Sequence, residues 1–138
     1  MTKNLFFALS MYLCLVWGRS AHAQLVVIAN PSVKAMEISK SELRDVFTGS
    51  SSTVGGTHVT PVLQSGSLQD EFLNHYIGKS STAFRATWRG LVFSGQNAMP
   101  HTLDSDAAVV EYVAHTPGAI GYIERSTPHD GVKTLAVK

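Results

Sequence analysis

The sequence is nearly devoid of cysteine: the single Cys14 of its 138 residues lies in the apolar amino-terminal stretch. A chain cleaved after this stretch has no disulfide, no thiolate metal ligand and no cysteine nucleophile. The fold must therefore depend on its apolar core.

Long hydrophobic runs are also absent after the first one, Leu5 to Trp17, which follows the positive Lys3. Ala21-His22-Ala23 before Gln24 is a small-x-small cleavage site, so residues 1–23 are predicted to be a secretory signal peptide. The run is short for an ordinary membrane span, although an uncleaved anchor is the alternative. Residues 24–138 are expected to form one α/β domain in the periplasm or outside the cell, without membrane insertion.

Charge of either sign is scarce. Without Lys3 and Arg19, 9 of the 11 basic residues remain against 10 acidic ones, which gives a formal charge of −1. A near-neutral domain without a basic run is not typical of a nucleic-acid binder, and we expect no nucleic-acid partner.

Catalytic and metal-binding motifs are absent as well. The chain has no G-x-S-x-G elbow, no P-loop and no GxGxxG, and no histidine stands at metal-ligand spacing. We therefore expect no enzyme, no cofactor and no metal. The alternative of a metal site assembled by folding would use the remaining histidines: His58, His75, His101, His115 and His129.

Apolar runs and capping signals predict an α/β domain. Gln24 to Ala29 is a continuous apolar run, typical of a strand that is buried on both faces. Ser39 and Glu42 form a capping-box pattern that starts a helix, and Gly49 ends it. Further elements are a strand at Val59–Leu63, helices beginning near Ser67, after Ser80 or Ser81 and after Asp104 or Ser105, and strands at Ala119–Ile123 and Thr134–Val137. Strands separated by helices imply a largely parallel sheet covered on both faces.

The turn Gln64-Ser65-Gly66-Ser67 is the strongest candidate for a binding site. It joins a strand to a helix, so backbone N–H groups and the positive end of the helix dipole point to one place, as in anion sites. Gly66 allows close approach of a ligand, and Ser65 and Ser67 add hydroxyl donors. The alternative is a plain helix N-cap with Ser67 as the cap. Asp70 and Glu71 in the first turn would repel a doubly charged anion.

Two other features could assist an anion. Arg85 and Arg89 stand one helical turn apart and could clamp it, although such pairs are more often solvated or salt-bridged. The Asn30-Pro31-Ser32 turn also follows the carboxyl end of a strand. In a parallel sheet that end is where ligands bind, so Ser32 is expected near the Gln64–Ser67 turn.

Five segments together resemble a known family. They are the Asn-Pro after the first strand, SKSELRDVFTG, VTPVLQSGSLQDEFLNHYIGKS, FRATWRGLVFSG and TPGAIGYIE. The combination is similar to small proteins related to the periplasmic phosphate-binding component of ABC transporters. The resemblance implies one lobe of a type II periplasmic binding protein, a three-layer α/β sandwich with a mixed, mainly parallel sheet.

The resemblance also implies a ligand site. Ser65, Gly66 and Ser67 fall where the family's Ser-Gly-Thr holds phosphate oxygens, and Asn30 to Ser32 falls near the first phosphate-binding loop. The family places an arginine shortly before the Ser-Gly-Thr, whereas this chain has the uncharged segment Pro61 to Gln64.

The leading hypothesis is a secreted, non-enzymatic binder of a small oxyanion such as phosphate. Its candidate residues are Ser32, Gln64, Ser65, Gly66, Ser67, Arg85 and Arg89. The alternative is an accessory or interaction module that has kept the lobe and lost the ligand. Partners under either hypothesis are an ABC permease, a sensor or a second lobe supplied by dimerisation.

Overall fold

The computed structural model describes residues 25–138, and the predicted signal peptide with its cleavage site lies outside this range. The elements in chain order are β1 (Leu25–Ala29), β2 (Glu37–Ile38), α1 (Lys40–Phe47), β3 (Thr53–Val54), β4 (Thr57–His58), β5 (Thr60–Pro61), β6 (Leu63–Gln64), α2 (Ser67–Phe72), α3 (Ser81–Phe93), β7 (Thr102–Leu103), α4 (Asp106–His115), β8 (Ala119–Glu124) and β9 (Lys133–Val137). A π-helical turn, Leu73–Ile77, continues α2. Among residues 25–138 no helix has the length and hydrophobicity needed to cross a membrane.

The main sheet has five strands in the order β2-β9-β1-β8-β5. The central β1 runs antiparallel to both of its neighbours, β8 and β9. The outer pairs, β2 with β9 and β5 with β8, are parallel. Within this five-stranded sheet all strands except β1 therefore run in one direction, which confirms the expected mixed, mainly parallel sheet.

The two faces of β1 explain why the domain has three layers. Val27 packs in a core that includes α1, α2 and α3. Val26 and Ile28 point to the opposite face, where Val109 and Val113 of α4 cover them. Because successive side chains of a strand alternate between faces, an unbroken apolar run has to be covered from both sides. The expected α/β sandwich is confirmed.

The helix starts follow the capping signals. Ser39 Oγ accepts a hydrogen bond from the Glu42 amide at 3.0 Å, and a Glu42 carboxylate oxygen accepts one from the Ser39 amide at 3.4 Å. Ser80 caps α3 and Ser105 caps α4 through similar bonds to the amide three residues on. Each cap gives an otherwise unpaired amide of the first turn an acceptor.

The predicted single strand Val59–Leu63 is wrong in one respect, since the chain forms two strands here that belong to different sheets. The Val62 amide still donates to Ile120 of β8 at 2.8 Å, whereas the Leu63 amide donates to the His101 carbonyl at 2.8 Å. The partner changes between these two residues, so β6 pairs with β7 and leaves the main sheet.

The outer edge of β5 offers few hydrogen-bond donors. Thr60 and Val62 direct their amides to β8, and the Val59 amide donates to the Ser52 carbonyl at 2.8 Å. Pro61 lies between them and has no N–H. Proline on an edge strand is one of the ways in which proteins limit further strand pairing.

Gly118, at the start of β8, gives a test of this packing. It has φ +77°, and a Cβ there would lie 2.6 Å from the His58 carbonyl oxygen, whereas Gly56 has φ +82° with nothing within 4 Å. Alanine at either position adopts a left-handed backbone at a cost of about 1–2 kcal/mol. We expect Gly118→Ala to lower the free energy of unfolding clearly more than Gly56→Ala in chemical denaturation. Equal losses would contradict the close contact at Gly118.

Candidate functional site

The Gln64–Ser67 turn leads into α2, and Gly66 is the N-cap of that helix. Gly66 has φ 98° and ψ −163°, a conformation that only glycine adopts readily. No side chain caps this helix, so the alternative interpretation of the turn, with Ser67 as a plain N-cap, is wrong, and Ser67 is the first helical residue. The Gly66 carbonyl accepts from the Gln69 amide at 3.2 Å, but the cap supplies no side-chain acceptor to the amides before it.

The first half of the turn is bound to the rest of the fold. The Gln64 amide donates to the Tyr122 hydroxyl at 3.0 Å, and that hydroxyl donates to the Gln64 carbonyl at 3.1 Å. The Ser65 amide donates to the Leu103 carbonyl at 2.8 Å. The Ser65 hydroxyl points to the same carbonyl at 3.4 Å. These amides are occupied and are not available to a ligand.

The second half of the turn is free. Within residues 25–138, neither the Gly66 amide nor the Ser67 amide has an acceptor. Both residues are exposed. The amides lie at the positive end of a helix, where negative charge is favoured.

A cleft of about 350 Å³ lies beside Gly66, whereas the adjoining Ser67 is not among the residues that line it. Gly66 and Asp70 line one side, Arg85 and Ser81 of α3 line another, and Thr102 of β7 contributes as well. The Arg85 Nε donates only a long 3.5 Å bond to the Ser81 carbonyl. The cleft thus contains one cationic side chain and one carboxylate, both exposed to solvent.

The other predicted residues have different places. Gln64 is 7% exposed and its Oε1 is buried without a partner. Arg89, one turn after Arg85, is exposed and is not among the residues that line the cleft. The structure therefore brings Arg85, and not Arg89, together with Gly66.

Ser32 does not meet the turn, which corrects the expectation that both lie at one edge. Its hydroxyl accepts from the Gly118 amide at 2.9 Å, at the amino end of β8. The Gln64–Ser67 turn lies toward the other end of β8, where Gln64 bonds to Tyr122. The physical reason is the reversed direction of β1, whose carboxyl end meets the amino ends of its neighbours.

Asn30 explains what the first turn does instead. Its side-chain amide donates to the Val113 carbonyl at 2.8 Å and to the Ala114 carbonyl at 3.2 Å. Its side-chain oxygen accepts from the Ser32 amide at 2.9 Å. The Asn-Pro-Ser turn thus fastens β1 to the end of α4.

Sequence reasoning missed Tyr122 and β7. Tyr122 lies in the apolar run AIGYI, and a tyrosine in a buried strand usually needs a hydrogen-bond partner for its hydroxyl. That need was the available signal. The two residues of β7 are too few for any periodic pattern.

A second cleft, of about 280 Å³, lies along the outer edge of β5. His58, Trp88 and Asn97 line it, and Met99 lines both clefts. Its described lining residues include no lysine or arginine. Within residues 25–138, no group of three or more His, Asp or Glu side chains could hold a metal ion.

The comparisons with known proteins agree on the fold. No protein-family model matches the chain. Two similar solved structures, each with a TM-score of 0.64, are a putative phosphate ABC transporter substrate-binding protein with bound phosphate from Clostridium perfringens and PstS from Borrelia burgdorferi. Sequence identities are 16% and 20%, and the matches cover 82% and 83% of this chain. An ABC-type phosphate transport receptor from Vibrio cholerae matches at 15% identity with a TM-score of 0.55.

The chain spans less than half the length of these structures, with 44%, 47% and 45% of their chains covered. Identities at this level establish the fold alone. Residues 25–138 therefore have the α/β fold of part of a phosphate ABC transporter substrate-binding protein, as the sequence resemblance predicts.

Proposed function

We propose that this chain binds a small oxyanion such as phosphate in the cleft that Gly66 and Arg85 line, with the free amides of Gly66 and of the adjoining Ser67 as donors. The observation that carries the proposal is the meeting of Gly66 and Arg85 in one cleft, although the two residues come from different elements. Oxyanions accept hydrogen bonds from backbone amides at a helix start and from arginine. The proposed activity is binding without catalysis.

Arg85 has a specific part in this proposal. The segment before the turn lacks the arginine that the resembling family places there. Arg85 reaches the cleft from α3 and supplies a positive charge from another direction. Because the guanidinium is exposed, its contribution is screened by solvent, and we expect weak binding.

The setting of the proposed function is the periplasm, after removal of residues 1–23. The solved structures of similar fold are named as transport receptors and substrate-binding proteins, which supports a role in solute capture. An ABC permease or a sensor is the corresponding partner in this proposal.

The first test compares Arg85→Gln with Arg89→Gln by isothermal titration calorimetry against phosphate. Both changes remove one positive charge from the same face of α3, but only Arg85 lines the cleft. We expect Arg85→Gln to weaken binding by roughly 1 kcal/mol, about fivefold, because an exposed charge pair contributes little more. Arg89→Gln should bind nearly as the wild type does. No heat with phosphate, sulfate or short organic acids, or equal losses in both variants, would contradict the proposed site.

The second test concerns the carboxylate in the cleft. Asp70 repels an anion, so we expect Asp70→Asn to bind sulfate more tightly, by roughly threefold to tenfold at low salt. Glu71→Gln is the matched control, because it removes the same charge next in sequence from a residue outside the cleft lining. An affinity that is unchanged in Asp70→Asn, or raised equally in both variants, would place the anion elsewhere.

A second candidate function is an interaction module without a ligand, and apolar side chains left exposed at the end of α3 and after it favour this function. At the end of α3, Val92 is 44% and Phe93 91% exposed, and Met99 in the following loop is 49% exposed. Phe93 is the clearest candidate for a contact, because aromatic residues are enriched in the cores of protein interfaces.

Light scattering over a wide range of protein concentration tests this candidate in its self-associating form. We expect a mass of two copies for the wild type, independent of added phosphate, and one copy for Phe93→Ser, since the change removes the most exposed aromatic ring. Ser94→Ala, the next residue along, is the control and should behave as the wild type. One-copy masses for all three proteins would contradict self-association through these side chains.

A further inference from the structure

We propose that Tyr122 is a positioning residue for the oxyanion site, because it fixes the backbone on both sides of the Gln64–Ser67 turn. This inference rests on the proposed function and names the group that holds its binding amides in place. Four observations support it: the hydrogen-bond register, the two bonds of the hydroxyl, the stacking of the ring and the protonation state.

The register shows that the hydroxyl replaces a strand partner. The Thr60 amide donates to the Gly118 carbonyl and the Val62 amide to the Ile120 carbonyl, each two residues further along both strands. Continued regularly, the series would join the Gln64 amide to the Tyr122 carbonyl. The Gln64 amide instead donates to the Tyr122 hydroxyl at 3.0 Å. The phenol side chain thus lies between β8 and the chain at the point where β6 leaves the sheet.

Both backbone groups of Gln64 depend on this one hydroxyl. Leu63 and Ser65 direct their amides to the β7 side, so the amide and carbonyl of Gln64 face the other way. The hydroxyl accepts from the amide and donates to the carbonyl, the latter at 3.1 Å. Without the hydroxyl, both groups would be buried without a partner, which is unfavourable.

The ring of Tyr122 holds the helix that follows the turn. Phe72, the last residue of α2, stacks on it with ring centroids 3.9 Å apart and planes at 10°. Phe47 also packs against it, with centroids 6.0 Å apart. One side chain therefore fixes the strand before the turn and the helix after it.

This arrangement leaves little freedom to the free amides. Only Ser65 and Gly66 lie between the anchored Gln64 and the start of α2. Donors that are held in their binding geometry before the ligand arrives lose less entropy on binding.

Tyr122 keeps its proton under ordinary conditions. Burial raises the pKa of its phenol far above the usual value, the bond to Gln64 lowers that pKa and the nearby Asp70 charge raises it. The hydroxyl therefore remains able to donate and accept at once.

The test compares Tyr122→Phe with Tyr76→Phe. Both changes remove only a hydroxyl, and both rings stack on Phe72, but only Tyr122 bonds to Gln64. We expect Tyr122→Phe, measured well below its melting temperature, to bind phosphate about tenfold more weakly and to exchange the Gln64 amide proton faster. Tyr76→Phe should match the wild type in both measurements. Unchanged phosphate affinity in Tyr122→Phe, with reduced stability alone, would overturn the inference.

A second variant and a second measurement complete the test. If Tyr122→Phe fails to fold, Phe72→Leu removes the ring stacking and leaves the hydroxyl, and it should weaken phosphate binding to a smaller extent. An affinity equal to that of the wild type would overturn the part assigned to the ring.

If the wild type itself binds no anion, the proposed function fails, and amide exchange still tests whether Tyr122 fixes the turn. Equal exchange at Gln64 and Ser65 in both tyrosine variants would then overturn the positioning role.

Discussion

The burial of β1 on both faces, between two antiparallel neighbours, is the constraint on which the rest of the structure depends. Its residues Ile28 and Ala29 are fully buried, and its five-residue register with β8 is continuous. Because that register is fixed, each end of β8 has defined neighbours. The amino end receives the Ser32 hydroxyl at Gly118, and Tyr122, near the other end, holds Gln64. The candidate site is thus a product of how β8 lies against β1.

Much of the fold could be predicted from local patterns. The capping box at Ser39, the apolar run of β1 and the glycine-containing turn at Gly66 each carry their signal within a few neighbouring residues. The position of Ser32 could not be predicted in this way. It depends on the direction of β1, which is set by pairing with strands about a hundred residues later. Local patterns contain no information about that direction, and the expected meeting of two strand ends failed for this reason.

The candidate site could be predicted only in part, because its residues come from elements that are separate in the sequence. The turn and its glycine were visible as a strand–turn–helix pattern, whereas the choice between Arg85 and Arg89 was not. Each of the two follows a buried aromatic residue of α3, Phe84 or Trp88, and they differ in that only Arg85 lines the cleft beside Gly66. The role of the Tyr122 hydroxyl could not be predicted either, because Tyr122 stands in an apolar strand and its hydroxyl bonds to a backbone group and not to a side chain.

Pro61 has a consequence for the edge of the main sheet, because it lies in β5, the last strand in the order β2-β9-β1-β8-β5. An edge strand exposes backbone groups with which another chain can pair as a further strand, as in amyloid fibres. In β5 the second residue is a proline, and the Val59 amide, two residues before it, already donates to the Ser52 carbonyl. Among the residues that the structure describes, the outer edge of β5 therefore offers an added strand no free backbone donor between Val59 and Val62, which disfavours further strand pairing at this edge.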